Sequence, residues 1–569
     1  MPIFGNDFVE ANSEYNKIIL QLLFNRRLID KNQIEIFFDS DKIELSDPFL
    51  FRNMTAAVDL AIKHIKGQSP IVIYGDYDAD GVTAVALLVE ILNIFKAKTQ
   101  VYIPGRTSEG YGLNKKALDS LAKSGAKLII TVDNGIRNKE EVAYAKKIGL
   151  DIIITDHHEP PIFLNDWPNC LIINPKAEDY AYKSFAGVGV AFKFAQALIS
   201  RAKLADELKN RLENKILDLV AIGTVADMVS LLGENRKLVS WGLKVINRQK
   251  RLGVAELIKV AQTNGNAGKP ITAFHVGWQI SPRLNSAGRL AHANTAYELL
   301  ITKDKKEAQE IAKKLNEKNS QRQKITEEIA EQCLRLIEEK MLDDKILIVC
   351  SPNIENASAE GWPEGVVGLV AGRLCDKYSR PVLVITKIKN EIKGSGRSID
   401  EFNIMKAVEQ NSQHLEKFGG HAAACGFTLK SYEDLTGFME TMKQIAGQVL
   451  AKVELAPKFL IEVEIDPVDI NDELVEALEK FEPHGEDNER PKFLSRGLKI
   501  VDKINMGAAG QHIKFRFGSI WAIAFSQAEN FKDFKIGDQI DAVYFLEFND
   551  FNGRRSVQMK IVDIKSHKE

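Results

Sequence analysis

Pro70-Ile71-Val72-Ile73-Tyr74 runs directly into Gly75-Asp76-Tyr77-Asp78-Ala79-Asp80-Gly81, and this junction decides the fold. An unbroken Ile/Val run without polar alternation reads as a strand buried on both faces. The pattern recurs where Lys127–Val132 leads into Asp133-Asn134-Gly135, and where Asp151–Thr155 leads into Asp156-His157-His158. Helical periodicity follows at Val82–Ala97, Asn114–Lys123 and Asn138–Ile148. Strand–helix repetition of this kind predicts an α/β unit with a parallel sheet. The carboxyl ends of parallel strands line one crevice. The three polar strand ends, distant in sequence, are therefore expected to converge there.

Further along, residues 303–341 are dense in Lys, Glu and Gln and contain no Gly or Pro. Ile311, Leu315, Ile325, Ile329 and Leu336 keep helical spacing, which predicts one long helix joining two domains. Asn319 and Arg322 interrupt its apolar seam, which argues against a coiled coil. A second α/β block starts at Lys345, with strands at Ile346–Cys350 and Pro381–Thr386 and a Gly-rich end. The tail reads as strands at Leu498–Val501, His512–Phe517, Ser519–Phe525, Gln539–Phe548 and Ser556–Ile564, with a turn at Asp550–Gly553. That is the pattern of a small barrel such as an OB-fold. The expected units are 1–302 (core at about 70–235), 303–341, 342–450 and 455–569.

The bulk numbers set bounds. A chain of 569 residues exceeds one core and predicts roughly three or four domains. With 76 basic and 78 acidic residues the net charge is −2, which leaves room for a local basic groove. Five scattered cysteines, Cys170, Cys333, Cys350, Cys375 and Cys425, form no C-x-x-C pair, so neither a disulfide framework nor a zinc ribbon is expected. Residues 1–10 carry Asp7 and Glu10 and no apolar run of signal-peptide type. Val82–Phe95 is interrupted by Glu90 and is too short to span a bilayer. A cytoplasmic protein without membrane contact is the expectation.

The chemistry lies at the strand ends. Asp76-x-Asp78-x-Asp80 directs several carboxylates into one small volume, and Gly81 permits tight entry into the next helix. Asp227 joins the candidates from an otherwise apolar stretch, Leu219 to Leu232. Two divalent ions about 3.5–4 Å apart can activate water, polarise a phosphoryl oxygen and stabilise a leaving oxygen. Mostly carboxylate ligation with one or two histidines suits Mn2+ or Mg2+. A lone strand-end aspartate such as Asp133 can equally be a helix N-cap. An EF-hand reading fails because the twelfth position from Asp76 is Leu87 and the flanks are a strand and a helix.

In order and strand context, Asp78-x-Asp80, Asp133-Asn134-Gly135, Asp156-His157-His158 and Asp227 resemble the four motifs of the DHH phosphoesterases. The resemblance implies metal ligation by Asp78, Asp80, Asp133, His157 and Asp227, with Asp133 bridging two divalent cations, Mn2+ ahead of Mg2+. It implies that His158 meets the scissile phosphate, while Asp76 orients a ligand or water. Relatives such as family II pyrophosphatases carry a His where this chain has Tyr74, which implies a first cation held more weakly or completed by water.

Further motifs resemble the RecJ-type exonucleases within that superfamily. These are Ser281-Pro282-Arg283-Leu284-Asn285-Ser286-Ala287-Gly288-Arg289 and Arg106-Thr107-Ser108-Glu109-Gly110-Tyr111-Gly112-Leu113. Gly394-Ser395-Gly396-Arg397-Ser398 and Gly419-Gly420-His421 resemble the DHH-associated domain, with Gly-rich turns whose N–H groups approach phosphate. Arg106, Arg283, Ser395, Arg397 and His421 are then candidate substrate contacts. His421 reads equally well as a hydrogen-bonded core histidine. Pro483–Pro491 departs from the family's turn and leaves its local shape open.

The resemblance implies a 5′→3′ exonuclease that converts single-stranded DNA to mononucleotides in repair and recombination. It further implies a monomer working with a helicase or single-strand-binding protein. The alternatives are a nano-RNA or cyclic-dinucleotide phosphodiesterase and a non-catalytic DHH scaffold of a replication complex. The long helix and β tail argue against the former, and the complete acidic set argues against the latter. In the tail, Ile513, Phe515 and Phe517 share one face, expected to be barrel core, while Lys514 and Arg516 share the other.

Overall fold

The structure, a computed structural model, describes residues 12–106, 108–261, 269–290, 292–352, 354–356, 361–551 and 553–568. The N-terminal reading of residues 1–10, Thr107 of the Arg106–Leu113 motif and Asn552 of the expected turn lie outside them.

The first sheet is parallel throughout, in the order β2-β1-β3-β4-β5. Its strands are β1 (Ile71–Tyr74), β2 (Thr99–Tyr102), β3 (Leu128–Val132), β4 (Asp151–Thr155) and β5 (Leu171–Ile173). The three expected strands form its centre. The two flanking strands were not legible: β2 is half-buried Thr-Gln-Val-Tyr at an edge, and β5 has three residues. Neither is long or apolar enough to show a period. The first connecting helix spans Ala79–Ile94 rather than starting at Val82, because Asp78 caps it by accepting from the Gly81 N–H at 3.0 Å. It packs in one core with helices Gly187–Arg201 and Asp206–Ala226.

The connecting helix runs from Lys305 to Lys340. Ala308, Ala312 and Leu315 enter the first unit's core, whereas Ile329, Ala330, Cys333 and Ile337 enter the second's. It thus joins two domains, as its sequence implies.

The second unit is a sheet ordered β6-β7-β8-β10-β9, comprising β6 (Leu347–Cys350), β7 (Val382–Ile388), β8 (Glu391–Arg397), β9 (Leu415–His421) and β10 (Ala424–Leu429). Here the expectation of Gly-rich turns is corrected. Gly394–Arg397 lies in β8, paired with β7 and β10, and Gly419–His421 ends β9. A ladder on both sides of β8 occupies its N–H groups, so any anion contact there falls to side chains. Ala424 pairs with both Arg397 and His421, so the two motifs meet at one end of the sheet.

The tail is a five-strand barrel of β12 (Phe493–Met506), β13 (His512–Phe517), β14 (Ile520–Ala524), β15 (Gln539–Phe551) and β16 (Arg554–Ser566), with β11 (Val463–Glu464) outside it. Pairing of β12 with both β13 and β15 closes it. β12 far exceeds the expected Leu498–Val501 because irregularities between Ser495 and Leu498 and between Ile500 and Asp502 bend one strand around the barrel. The β15–β16 ladder extends to Phe551↔Arg554, past the expected turn at Asp550. Ile513, Phe515 and Phe517 face the core, and Lys514 and Arg516 lie 4.5 and 5.7 Å over the Trp521 ring.

Helices Lys17–Asn25 and Lys31–Phe38, grouped by sequence with the first unit, pack into the barrel's core instead. Removing 455–569 would strip their cover, so function cannot be divided by truncating there. Among the described residues no helix is long and apolar enough to cross a membrane.

Candidate metal centre

Four segments deliver the cluster. The turn after β1 brings Asp76, Asp78 and Asp80; the end of β3 brings Asp133; the end of β4 brings His157 and His158; the end of helix Asp206–Ala226 brings Asp227. Their ligand atoms form three groups, each within 4.8 Å: Asp76, Asp78 and Asp133; Asp80, His157 and Asp227; Asp133, His157 and His158. Asp133 and His157 therefore each belong to two groups. His157 Nε2 lies 3.1 Å from Asp133 Oδ1 and 3.5 Å from Asp227 Oδ2.

Local geometry explains these placements. Asp133 adopts φ 62°, which ends β3 abruptly and turns its side chain into the crevice. A Cβ on Gly187 would stand 2.5 Å from the Asp133 Cβ, so only glycine fits opposite. A Cβ on Gly81 would stand 2.7 Å from Asp76, the tight entry expected there. Asp80, inside the helix's first turn, accepts from the Gly187 and Val188 N–H groups at 2.6 and 2.8 Å. That helix N-terminus favours negative charge.

The donor set fits divalent cations. Asp76 Oδ1, Asp133 Oδ1, Asp227 Oδ2 and His157 Nε2 are buried without a hydrogen-bond partner. Burial, then mutual repulsion, raises the carboxylates: Asp76 and Asp133 well above the usual range, Asp80 to about 7 and Asp227 to about 9. Burial pushes His157 down to about 3, so it is a neutral donor. Such strain is relieved by cations, not by further protein groups.

The Tyr74 side chain is engaged elsewhere: its hydroxyl donates to the Gly112 carbonyl at 3.0 Å, and the ring lies in a separate apolar core.

Two groups that the sequence shows within motifs, without a role of their own, orient the cluster. Asp156 Oδ1 lies 2.8 Å from His158 Nδ1 and also accepts the His157 N–H, while Oδ2 accepts from Ile136. Against burial, this bond holds Asp156 below and His158 above their usual values. His158 Nε2 is left for the crevice. The Tyr111 hydroxyl donates to the Asp133 carbonyl oxygen at 2.9 Å and lies 3.1 Å from His158 Nδ1. Tyr111→Phe should weaken Mn2+ binding about tenfold, as losses of ligand-orienting partners do. The readout is the Mn2+ concentration that gives half-maximal thermal stabilisation.

Arginines line the facing side. Arg289 Nη1 donates to the Gly365 carbonyl at 2.8 Å, linking the two units. Burial, then Arg106, Arg322 and Arg397, push Arg289 down to about 9. Arg106 lies over the Tyr77 ring at 5.0 Å, and Arg397 Nη1 lies 3.3 Å from Ser395 Oγ. Among the described residues Arg106, Arg283, Arg289, Arg322 and Arg397 have no ion-pair partner. Arg283 is more committed: it donates to Asn316 Oδ1 at 3.0 Å and the Gln279 carbonyl at 2.6 Å. From the same motif, Asn285 accepts from the Ala79 N–H at 2.7 Å and pins the aspartate turn. His421 is exposed at the end of β9, not in a core.

Comparison with known proteins agrees with this arrangement. The DHH family N-terminal domain matches residues 70–224, the DHHA1 domain 345–448 and the RecJ OB domain 461–563. The single-stranded-DNA-specific exonuclease RecJ of Bacillus subtilis is 36% identical over 96% of this chain and 67% of its own length. That of Haemophilus influenzae is 33% identical, covering 97% of this chain and 96% of its own. The chain belongs to the RecJ family. RecJ of Thermus thermophilus, solved in complex with Mn2+, superposes with a TM-score of 0.83 and 26% identity over 99% of this chain and 78% of that one. The same RecJ has been solved with Mg2+, at a TM-score of 0.77.

Proposed function

We propose that the chain is a metal-dependent 5′→3′ exonuclease that hydrolyses single-stranded DNA to mononucleotides, using two divalent cations, Mn2+ ahead of Mg2+. The observation that carries this reading is the cluster in which Asp133 and His157 are each shared between donor groups, opposite a row of unpaired arginines. Cations held there would lower the pKa of a water and polarise a phosphoryl oxygen. Asp78, Asp80, Asp133, His157 and Asp227 are the ligands in this reading, and Asp76 joins them through its group with Asp78 and Asp133.

The remaining work belongs to side chains around the cluster. His158, its ring fixed and its pKa raised by the bond to Asp156 against burial, stabilises negative charge on the scissile phosphate. Arg106, Arg289 and Arg397 hold backbone phosphates, and Ser395 and His421 extend that surface from the second sheet. Phosphate contacts carry no base information, so sequence preference is slight. Lys514 and Arg516, beside Trp521, give the barrel a face for the strand beyond the groove. Relatives named as single-stranded-DNA-specific exonucleases support the substrate class. Action as a cytoplasmic monomer in repair and recombination, with a helicase or single-strand-binding protein, belongs to the same proposal.

The test uses 5′- and 3′-labelled single strands beside blunt duplexes, in Mn2+, Mg2+ or EDTA. The 5′ label should leave first as a mononucleotide, duplexes should resist, and EDTA should stop the reaction. Release of the 3′ label first, equal attack on duplexes, or activity in EDTA would each defeat the reading.

A further inference from the structure

The seam of the connecting helix is polar where it passes between the two units. Before that level Ala308, Ala312 and Leu315 are buried against the first unit; beyond it Ile329, Cys333 and Ile337 are buried against the second. Between them on the same face come Asn319, 1% exposed with a buried unpartnered Oδ1, and Arg322, whose buried Nε also has no partner. A leucine at either place would fill the gap without leaving a desolvated polar atom.

Their surroundings identify what is missing. Helix Ser281–Leu290 crosses just before this level, with Ser286 Oγ donating to the Leu315 carbonyl at 3.3 Å and Arg283 bonding Asn316. At its end Arg289 reaches across to Gly365, its own Nε buried and unpartnered. Arg322 stands close enough to Arg283 and Arg289 to contribute to lowering both. Among the described residues none of these guanidinium groups has a carboxylate in ion-pair contact, and such a gathering calls for an anion. Asn319, one turn before Arg322 on the same face, leaves its own buried acceptor open at this level.

We propose that Arg322 is a further phosphate-positioning residue, so that the connecting helix forms a wall of the substrate site as well as the link between units. Its ligand is the phosphodiester backbone of the strand, which rests on the function proposed above. The group acts by holding phosphate oxygens, with no bond made or broken.

The test compares full-length wild type, Arg322→Gln and Arg322→Lys by two measurements. One is the rise in Tm caused by inorganic phosphate; the other is KM and kcat on single-stranded oligonucleotides with Mn2+. Arg322→Gln should at least halve the phosphate-induced rise and increase KM about tenfold, with kcat within about threefold, the size of one lost charged hydrogen bond. Its Tm without phosphate should hold, because a crowded cation has been removed. Arg322→Lys should recover part of both effects. A lower Tm with the phosphate effect and KM unchanged would make Arg322 purely structural and overturn the proposal. If Arg322→Gln does not fold, Arg322→Lys decides: raised KM at normal Tm supports the proposal, and wild-type KM at lowered Tm overturns it. Loss of the phosphate effect in an otherwise folded Arg322→Gln, with wild type inert on DNA, would defeat the exonuclease reading and leave the anion site standing.

Discussion

Asp133→Asn should lower turnover by more than on the order of 10³-fold while the chain stays folded. Removing one oxyanion donor costs on the order of 10²–10³ in kcat, and Asp133 belongs to two of the three donor groups, so its loss disturbs both cation positions at once. Asparagine is the right replacement because the residue sits at φ 62°, a conformation that Asn tolerates and Ala does not. The sign on stability follows from the electrostatics. Burial, then Asp80, Asp78, Asp76 and Asp227, hold Asp133 far above its usual pKa, so its charged form is disfavoured without a cation. Neutralising it should leave Tm in EDTA unchanged or higher and abolish the rise in Tm that Mn2+ produces. Melting curves with and without Mn2+, beside rates on single-stranded DNA, check both halves. Near-normal turnover in Mn2+ would remove Asp133 from the centre of the site.

What the sequence disclosed and what it hid divide along a physical line. β1, β3 and β4 were readable because strands buried on both faces are runs of Ile and Val, and their polar ends then stood out. β2 and β5, at the sheet's margins, have no such contrast. The aspartates and histidines were legible because ligands must be charged or imidazole whatever surrounds them. The orienting roles were not: Asp156 and Tyr111, quoted only as members of motifs, act through a 2.8 Å bond to His158 and a 2.9 Å bond to a carbonyl, which no spacing rule announces. Gly187 gave no signal at all, because its role is to be absent beside Asp133. Of the two arginines in one motif, the resemblance singles out Arg283, yet it is Arg289 that spans to the second unit. Asn319 and Arg322 were legible as interruptions of an apolar seam; only the seam's position between two units gives the interruption a meaning. Glycine content misled in β8 and β9, where the ladder rather than a turn fixes the backbone.

Arg236→Ala should cost several kcal/mol, about 1–3 for each buried carbonyl left without a donor, and should loosen the barrel from the first unit. Arg236 is 2% exposed and lies in helix Gly233–Asn247 of the first unit. Its Nε donates to the Phe37 carbonyl at 2.8 Å, Nη1 to Phe481 at 3.1 Å, and Nη2 to Lys480 at 3.2 Å and Glu482 at 2.9 Å. The guanidinium also lies 3.9 Å from the centre of the Phe37 ring. Three of those carbonyls close helix Asp472–Glu479, where negative partial charge collects and a cation is favoured. Burial, then Arg26, lowers Arg236 to about 10, so it remains charged at neutral pH. The same contact gives the divergent Pro483–Pro491 turn its shape. Asn488 bonds the Phe481 and Pro483 carbonyls at 2.8 and 2.9 Å, Arg26 bonds Asn488, and the Leu231 N–H donates to Glu486 at 2.9 Å. Gly485 lies so close to Leu231 that a Cβ would stand 2.5 Å from its side chain. Alanine at 236 removes four donors at once and leaves carbonyls from the N-terminal helices and the barrel unit facing a dry gap. Lysine cannot substitute, because one ammonium cannot span acceptors arranged for a planar fork. Limited proteolysis should then cut between 450 and 490 well before the first unit unfolds, and the metal-dependent rise in Tm of that unit should survive. Equal resistance to cleavage in wild type and Arg236→Ala would mean that the barrel is held by its apolar contacts and that Arg236 adds little.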